Sequence, residues 1–459
     1  MVTAKATKAA NALTAIAKNT WGIGHRAARM IYLGAIEPII LYAAPIWAEA
    51  CSRTYICKKL SKAQRIAALR ICRAYRTAPT SALLVLGALI PIHIKAMMYS
   101  NNWKTINLFD STNPTSQKNR EIISHFPNQI RKDILRYGLE QLNIDSNIEQ
   151  VYPFFNNTPH QDHRDISIYT DGSKLDDQVG AAFVLFDHAK GSTHRSAFKL
   201  SPHCSVPQAE ILGLTKAIEY VHSDWFPSQQ NIDIFTDSTT ALYSLFNLGN
   251  RGSNILKAHN IIANSHHDHN ITFSWVRGHS NNTGNEAADE MAKKAARSQL
   301  DLAYTKIPKS TIKNWNHQHA IQQWQKEWNG SLTGRLTFKF IPDINRRLQM
   351  KHFTPSFSMT QLLTGHGNLN AYLNRFHLRN SEACSCDGIS RQDSEHFLFD
   401  CSTYDSHREQ LIGCVLKEGH NWPCPLDTLI NNQKIYKKLE EFVINTQAFF
   451  STGAHHNNN

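Results

Sequence analysis

Through residues 20–94 apolar positions return every three or four residues, the period of a helix that buries one face. Between Tyr55 and Tyr75 that face holds Ile56, Leu60, Ala63, Ala67, Ile71 and Ala74, with Lys58, Lys59, Lys62, Arg65, Arg70 and Arg73 interleaved. The most apolar run, Met30 to Trp47, is broken by Glu37, Pro38 and Pro45, which fits packed helix and not a membrane span. At residue 166 the period changes. Ile166–Thr170 alternates, Ala181–Phe186 and His194–Leu200 follow as apolar runs, and Asp171-Gly172-Ser173 and Lys190-Gly191-Ser192 supply turns. Three strands in a meander are expected. Helical spacing returns over 207–222, where Ile211, Leu214, Ile218 and Val221 share a face. A strand over 232–236, helices over 238–246 and 254–266, a strand over 271–276 and a helix over 284–298 complete the order βββαβααβα. That is an α/β domain: a mixed five-stranded sheet flanked by helices.

The flanks read as mostly helical. The expected division is a basic helical segment (1–100), a linker with one or two helices (101–163), the α/β domain (164–299), a Trp-bearing helical linker (300–375), a small mostly helical Cys/His segment (376–450) and a disordered tail (451–459).

Charge sharpens this picture. The net charge of the 459 residues is +12. Residues 1–100 hold 14 Lys and Arg against only Glu37 and Glu49, whereas residues 163–300 carry 12 basic and 14 acidic side chains. The first segment therefore attracts a polyanion, and the α/β domain needs cations at its site or a basic neighbour to handle one. Hydrophobic residues at 41% and charged residues at 19% allow packed cores. Nine Cys, an odd number, and an Ala- and Lys-rich start without a long apolar run point to a reducing, intracellular setting, nuclear or cytoplasmic and not secreted. No membrane partner is expected.

Four acids stand where such a sheet can gather them: Asp171 ending the first strand, Glu210 early in the first helix, Asp237 ending the fourth strand and Asp289 in the last helix. Singly, each has a plain structural use as a turn, a cap or an exposed acid. Together they stand in Tyr169-Thr170-Asp171-Gly172-Ser173, Gln208-Ala209-Glu210, Thr236-Asp237-Ser238, and Trp275-Val276-Arg277-Gly278-His279-Ser280 followed by Gly284-Asn285-Glu286-Ala287-Ala288-Asp289. In this order and on this pattern of elements, the stretch resembles the type 1 ribonuclease H family over roughly 135 residues.

The resemblance implies an endoribonuclease that hydrolyses the RNA strand of RNA–DNA hybrids. It implies two Mg²⁺ ions (Mn²⁺ being the alternative), with Asp171 bridging both, Glu210 and Asp237 completing one site and Asp289 the other. Hard cations of this kind take oxygen ligands, and a pair about 3.5–4 Å apart serves both the attacking water and the leaving oxygen. It gives His279 a part in proton handling and product release. Thr240 and Asn281 are candidate nucleic-acid contacts by position. Some members carry a long basic protrusion after the second long helix; here residues 246–253 are short and nearly uncharged, so the basic residues 1–100 are the candidate substitute.

The first segment resembles the end of a reverse transcriptase from non-LTR retrotransposons. Trp21-Gly22, Ile36 to Tyr42, Ala44 to Trp47, Gln64-Arg65, Arg73 to Pro79, Leu86-Gly87 and Ile90-Pro91 carry that likeness. No Tyr-X-Asp-Asp-type motif occurs, so polymerase activity is not expected. At the other end, Cys384, Cys386, His396 and Cys401 have donor types that close a tetrahedral Zn²⁺ site, although the one-residue gap between the first two is tight. Non-LTR elements often end in such a zinc knuckle, which strengthens that reading. Other proteins of a retrotransposon are candidate partners. The rival from another class is a retrotransposon-derived nucleic-acid-binding protein whose nuclease is silent. An integrase-like or resolvase-like nuclease is a second rival, against which the loop of His279 and the run Gly284–Asp289 count.

Overall fold

A computed structural model describes residues 2–17, 22–140, 165–247, 252–264, 269–278, 280 and 282–450. The chain divides into two compact units. One is continuous, Asn102–Trp315; the other joins Met1–Asn101 to Asn316–Asn459.

The continuous unit is built on a mixed sheet: β1 (Ile166–Leu175), β2 (Gln178–Asp187), β3 (Ser192–Leu200), β4 (Asn231–Thr236), β5 (Asn270–Trp275) and β6 (Leu302–Tyr304). Their order across the sheet is β5-β4-β1-β2-β3-β6. β1, β2 and β3 form an antiparallel meander, while β4 lies parallel to β1, and β5 parallel to β4. The sheet thus has six strands, not the five expected. β6 adds in parallel at the outer edge of β3, pairing Lys199 with Leu302 and Leu200 with Tyr304. Three residues cannot show a period of two, so the sequence pattern gave no sign of it.

Four helices belong to the sheet: α1 (Val206–Val221), α2 (Thr239–Phe246), α3 (Ser253–Asn264) and α4 (Thr283–Arg297). The order of elements follows the expected βββαβααβα. One core joins Ile166, Ile168, Phe183 and Leu185 of the sheet to Leu214, Ile218 and Val221 of α1, Leu242 of α2 and Ile255 of α3. α4 packs on β1 and β2 through a face of small residues of its own, Gly284 lying against the Tyr169 ring of β1. Ala288, Ala292, Ala295 and Ala296 are fully buried, and a Cβ on Gly180 of β2 would lie 2.3 Å from the Ala292 carbonyl oxygen. Glycine is required there because helix backbone rests on strand backbone.

In the stretch expected as a linker with one or two helices, 101–163, the described residues 101–140 carry helices. Helices Gln117–Ile122 and Asn128–Tyr137 build a small core of Phe109, Ile123, Phe126, Ile134 and Leu139 with Ile307 and Ile312. Leu139 and Ile307 form a parallel bridge, which ties the two flanks of the sheet together.

In the discontinuous unit, the segments expected as separate bodies share one core. Ile36, Ile40, Ala67, Ile71, Leu83 and Leu86 from the first part pack with Trp324, Trp328, Phe340, Leu362, Phe397 and Leu439 from the second. Polar groups lock the same seam. Buried Arg347 donates to the Leu86 carbonyl (2.6 Å), and the Thr360 hydroxyl to that of Cys72 (2.6 Å). Gln64 is buried with its amide satisfied on both sides, donating to Tyr32 and the Ile90 carbonyl and accepting from the Ile92 N–H. The apolar run that begins at Met30 forms helix that widens into a π turn over Tyr32–Ile36 just before Pro38, which has no N–H to donate backward. Among the described residues no single helix is long and apolar enough to cross a membrane; the bent pair His25–Leu41 and Ala44–Ser52 reaches that length and apolarity only together. The expected tail 451–459, Trp21 and residues 248–251 of the short loop 246–253 lie outside the described residues.

Candidate active site

Three of the four expected carboxylates meet where the pairing of β1 with β4 ends, beside the second turn of α1. One oxygen each from Asp171, Glu210 and Asp237 lies within 4.8 Å of the others. The local fold explains how. β1 and β4 are parallel neighbours with Thr170 opposite Thr236, the last pair they share, so Asp171 and Asp237 follow side by side. β1 does not end at Asp171 as expected, and Asp171-Gly172-Ser173 is not a turn: the strand continues to Leu175, with Asp171 opposite Ala182 of β2. α1 starts from a capping box, in which the Ser205 side chain accepts the Gln208 N–H and Gln208 reaches back to Ser205, with Pro207 in its first turn. That fixes Glu210 against β1 so closely that a Cβ on Gly172 would lie 2.4 Å from the Glu210 nitrogen.

The cluster is buried and short of partners. Asp171 is 6% exposed and Glu210 7%, and Glu210 Oε2 is buried with no hydrogen-bond partner. Burial first, and then the negative charge of Asp237 and Asp289, push the Asp171 carboxyl above the usual range. Burial, followed by Asp171 and Asp237, does the same to Glu210. Carboxylates held this close call for a cation. The donor set, three to four hard oxygens with one buried oxygen left unmatched, fits divalent ions of the Mg²⁺ or Mn²⁺ type.

Asp289 stands at the margin. It is close enough to Asp171 to bond to it and raise its pKa, but its Oδ2 is paired with Lys293, one turn on in α4, at 2.5 Å. Two further residues hold Asp237. Asn285, buried on α4, donates to Asp237 Oδ2 (3.3 Å), and the Trp275 indole N–H donates to the Asp237 carbonyl (3.0 Å). The sequence reading gave none of these a role. Asn285 and Lys293 flank Asp289 at i−4 and i+4, so helical spacing alone places all three on one face. Gly278 was missed for another reason: only the fold shows that a Cβ there would lie 2.6 Å from Asp237 Oδ2.

Thr240 is exposed in the first turn of α2, which follows directly from Asp237 and is capped by the Ser238 side chain accepting the Ala241 N–H. His279 and Asn281 lie outside the described residues.

In the other unit the four expected thiol and imidazole donors also meet. One ligand atom each from Cys384, Cys386, His396 and Cys401 lies within 4.8 Å of the rest. The Cys384 and Cys401 sulfurs are 3.6 Å apart, and Cys386 Sγ is 3.4 Å from His396 Nε2. An Ala383–Arg391 bridge folds the first two Cys into a tight hairpin, which is how a single intervening residue suffices. Cys384, His396 and Cys401 are buried. Three sulfurs and one nitrogen at these separations suit tetrahedral Zn²⁺, whose Zn–S bonds of about 2.3 Å put neighbouring sulfurs a little under 4 Å apart.

Residues 163–297 match the RNase H family. Over 130 residues, 28% of the chain, the sequence is 41% identical to a retrovirus-related Pol polyprotein from the type-1 retrotransposable element R1 2 of Nasonia vitripennis, covering 30% of that protein. Over 135 residues, 29% of the chain, it is 29% identical to the R1 Pol polyprotein of Bradysia coprophila, covering 13% of it. The solved structure of LC11-RNase H1 in complex with an RNA/DNA hybrid is 20% identical, covering 30% of this chain and 99% of that one, with a TM-score of 0.24. The chain thus holds an RNase H domain related to those of R1 retrotransposon Pol polyproteins, and it spans less than a third of the length of these two polyproteins.

Proposed function

We propose that the chain hydrolyses the RNA strand of RNA–DNA hybrids, using divalent cations held by Asp171, Glu210, Asp237 and Asp289. The observation that carries this reading is the trio of carboxylates gathered within 4.8 Å around a buried, unpartnered Glu210 oxygen, inside an RNase H domain. Bound Mg²⁺ or Mn²⁺ supplies the positive charge that offsets the carboxylates and polarises the scissile phosphate. The chain's own residues do the positioning. Asp171, at the centre, faces both Asp237 and Asp289; Asn285 and Trp275 fix Asp237. Thr240, at the exposed start of α2, is the proposed contact for a backbone phosphate, one that would orient a duplex without reading its sequence. His279 and Asn281 keep the roles that the family resemblance gives them, in proton handling and substrate contact. The products are 5′-phosphate and 3′-hydroxyl ends.

The Cys/His cluster is proposed to hold one structural Zn²⁺, and residues 1–100 to descend from the end of a non-LTR reverse transcriptase. A nuclease-silent nucleic-acid-binding protein is the second reading, and the pairing of Asp289 with Lys293 is the observation on its side. The deciding experiment is cleavage of a labelled RNA–DNA hybrid with Mg²⁺, comparing the parent chain with Asp171→Asn. Hybrid-specific cutting lost in the variant supports the nuclease. Hybrid binding without cutting in the parent supports the silent reading.

A further inference from the structure

Beside the Cys/His cluster lies a second site. Helix Phe357–Thr364 ends on Gly365, whose φ of +68° is the left-handed cap that glycine favours. The chain turns there through His366 into helix Asn370–Arg375. Between these elements, helix Arg335–Phe340 and the run Asp393–Glu395 is a cavity of about 350 Å³, within the size range of small-ligand sites.

Four cationic side chains line it, Arg335, Lys339, Arg375 and Arg391, against two acids, Asp393 and Glu395. Both acids are engaged. Asp393 Oδ1 accepts the N–H groups of Glu395 and His396, and Glu395 pairs with Lys339. Arg335 is turned to the carbonyls of Trp328, Asn329 and Ser331. Arg391 meets Glu382 at 3.1 Å in an exposed pair, a contact that water makes weak. Arg375 has no carboxylate partner among the described residues and lies 6.0 Å from the centroid of the Phe376 ring. Two guanidinium groups therefore remain available to an anion.

Aromatic rings stand next to them. The Tyr372 and Phe376 centroids are 4.9 Å apart, and His366 lies 5.1 Å from Tyr372. Tyr372 is held by its hydroxyl on Thr77 (2.6 Å), while Phe376 is 40% exposed. Burial, then Arg375 and Arg65, lower the His366 pKa to about 4, so the imidazole is neutral at neutral pH and the local positive charge is that of the guanidinium groups.

The wall is also tied to the cluster. Arg391 lies between Cys386 and His396, the Cys384 N–H bonds to the Ser390 carbonyl (2.6 Å), and the Ala371 N–H bonds to the Gln392 carbonyl (3.1 Å). The hairpin that gathers the thiolates therefore also presents Arg391 to the cavity.

We infer that this cavity receives one nucleotide of a single-stranded nucleic acid, with its phosphate on Arg375 and Arg391 and its base against Tyr372, which lines the cavity, and the exposed ring of Phe376, which lies outside the lining against Tyr372. Guanidinium forks match phosphate oxygens, and exposed rings beside a basic groove accept any base face. The site lies in the other unit from the carboxylates, and the inference does not rest on the nuclease reading.

The test uses the full chain carrying Asp171→Asn, so that no cleavage intervenes, and a short single-stranded oligonucleotide with iodouridine in place of uridine. Ultraviolet cross-linking followed by peptide mass spectrometry should place the adduct on Tyr372 or Phe376. In fluorescence anisotropy, Arg375→Gln with Arg391→Gln should weaken binding and flatten the log–log salt dependence by roughly 1.4, about 0.7 for each lost phosphate contact on a single strand. Phe376→Ala should weaken binding and leave that slope unchanged, which separates the two roles. Adducts confined to other regions, or an unchanged slope in the double variant with an unchanged melting profile, overturn the inference. Inorganic phosphate that suppresses the adduct as effectively as uridine monophosphate also overturns it, because the site would then be one for a free anion.

Discussion

Gly278→Ala separates the position of a carboxylate from the stability of the fold. The backbone at Gly278 is not left-handed, so alanine is compatible with it. The new Cβ would lie 2.6 Å from Asp237 Oδ2 but 3.5 Å from Cγ and 3.6 Å from Cβ of the same residue. Only the oxygen is too close, and carbon–oxygen contact distances require it to retreat by ~0.7 Å. Asp237 is half-buried and its carboxylate is the free end of a side chain, so the fold yields cheaply, at a cost below ~1 kcal/mol and a Tm shift of a few degrees. Catalysis has less tolerance. A misplacement of ~1 Å at a reacting centre costs on the order of a hundredfold, and ~0.7 Å should cost roughly ten- to a hundredfold, or ~1.4–2.7 kcal/mol of barrier. The oxygen displaced is also the one that accepts from Asn285, so cation affinity should fall with the rate. Single-turnover cleavage of a labelled hybrid, calorimetric Mg²⁺ titration and a thermal melt on the same preparation measure all three. An unchanged rate together with unchanged Mg²⁺ affinity would refute the reasoning, as would a rate loss that merely follows a collapsed Tm.

Other outcomes follow from the same geometry. The raised Asp171 and Glu210 carboxyls mean that the cation-free native state holds more protons than the unfolded chain from about pH 4 upward. Its stability should therefore fall as pH rises through the raised range, and the increase in Tm on adding Mg²⁺ should grow with pH; an increase independent of pH counts against the cluster as the binding site. Lys293→Ala should free Asp289 and lower the Mg²⁺ concentration for half-maximal cleavage by about twofold, the scale of a partly exposed i,i+4 pair; an unchanged or higher requirement contradicts this. Cys386→Ser should abolish stoichiometric zinc and lower the Tm, whereas Cys414→Ser, outside the cluster, should keep both. Full zinc content in the Cys386 variant removes the site.

The carboxylate site was legible because each acid stands in a short motif on an element whose period is strong, although the expected strand end at Asp171 proved to be the middle of a longer strand. Asp237 follows its strand directly, Glu210 lies early in its helix and Asp289 within the last one. Position in the sheet then follows from topology. What escaped notice depends on distance in space. Leu302–Tyr304 is too short to carry a period, and Lys293 is an ordinary surface lysine until Asp289 is seen facing Asp171. The division of the chain was also hidden, because apolar faces show that a helix is covered without showing by what. The stripe Leu60, Ala63, Ala67 and Ile71 was expected, but its partners in the segment after residue 316 were not. This bears on the idea that the basic residues 1–100 strengthen hybrid binding. Deleting them would strip the core around Trp328, Phe340 and Phe397, so charge-neutralising substitutions at exposed positions such as Lys58 and Lys59 are the cleaner test.

The shared core of the discontinuous unit also sets an order of events during synthesis. Helices before residue 101 emerge from the ribosome with Ile36, Ile40, Ile71 and Leu83 uncovered, and their covering partners lie beyond residue 316. At about 5–20 residues per second the intervening stretch takes roughly 10–40 s to make. The sheet-bearing unit is continuous and can close within that interval, while the first helices wait. A nascent chain in this state presents a sticky surface for as long as residues 102–315 are being made, so chaperone engagement during that interval, and aggregation when elongation stalls within it, are expected from the connectivity itself.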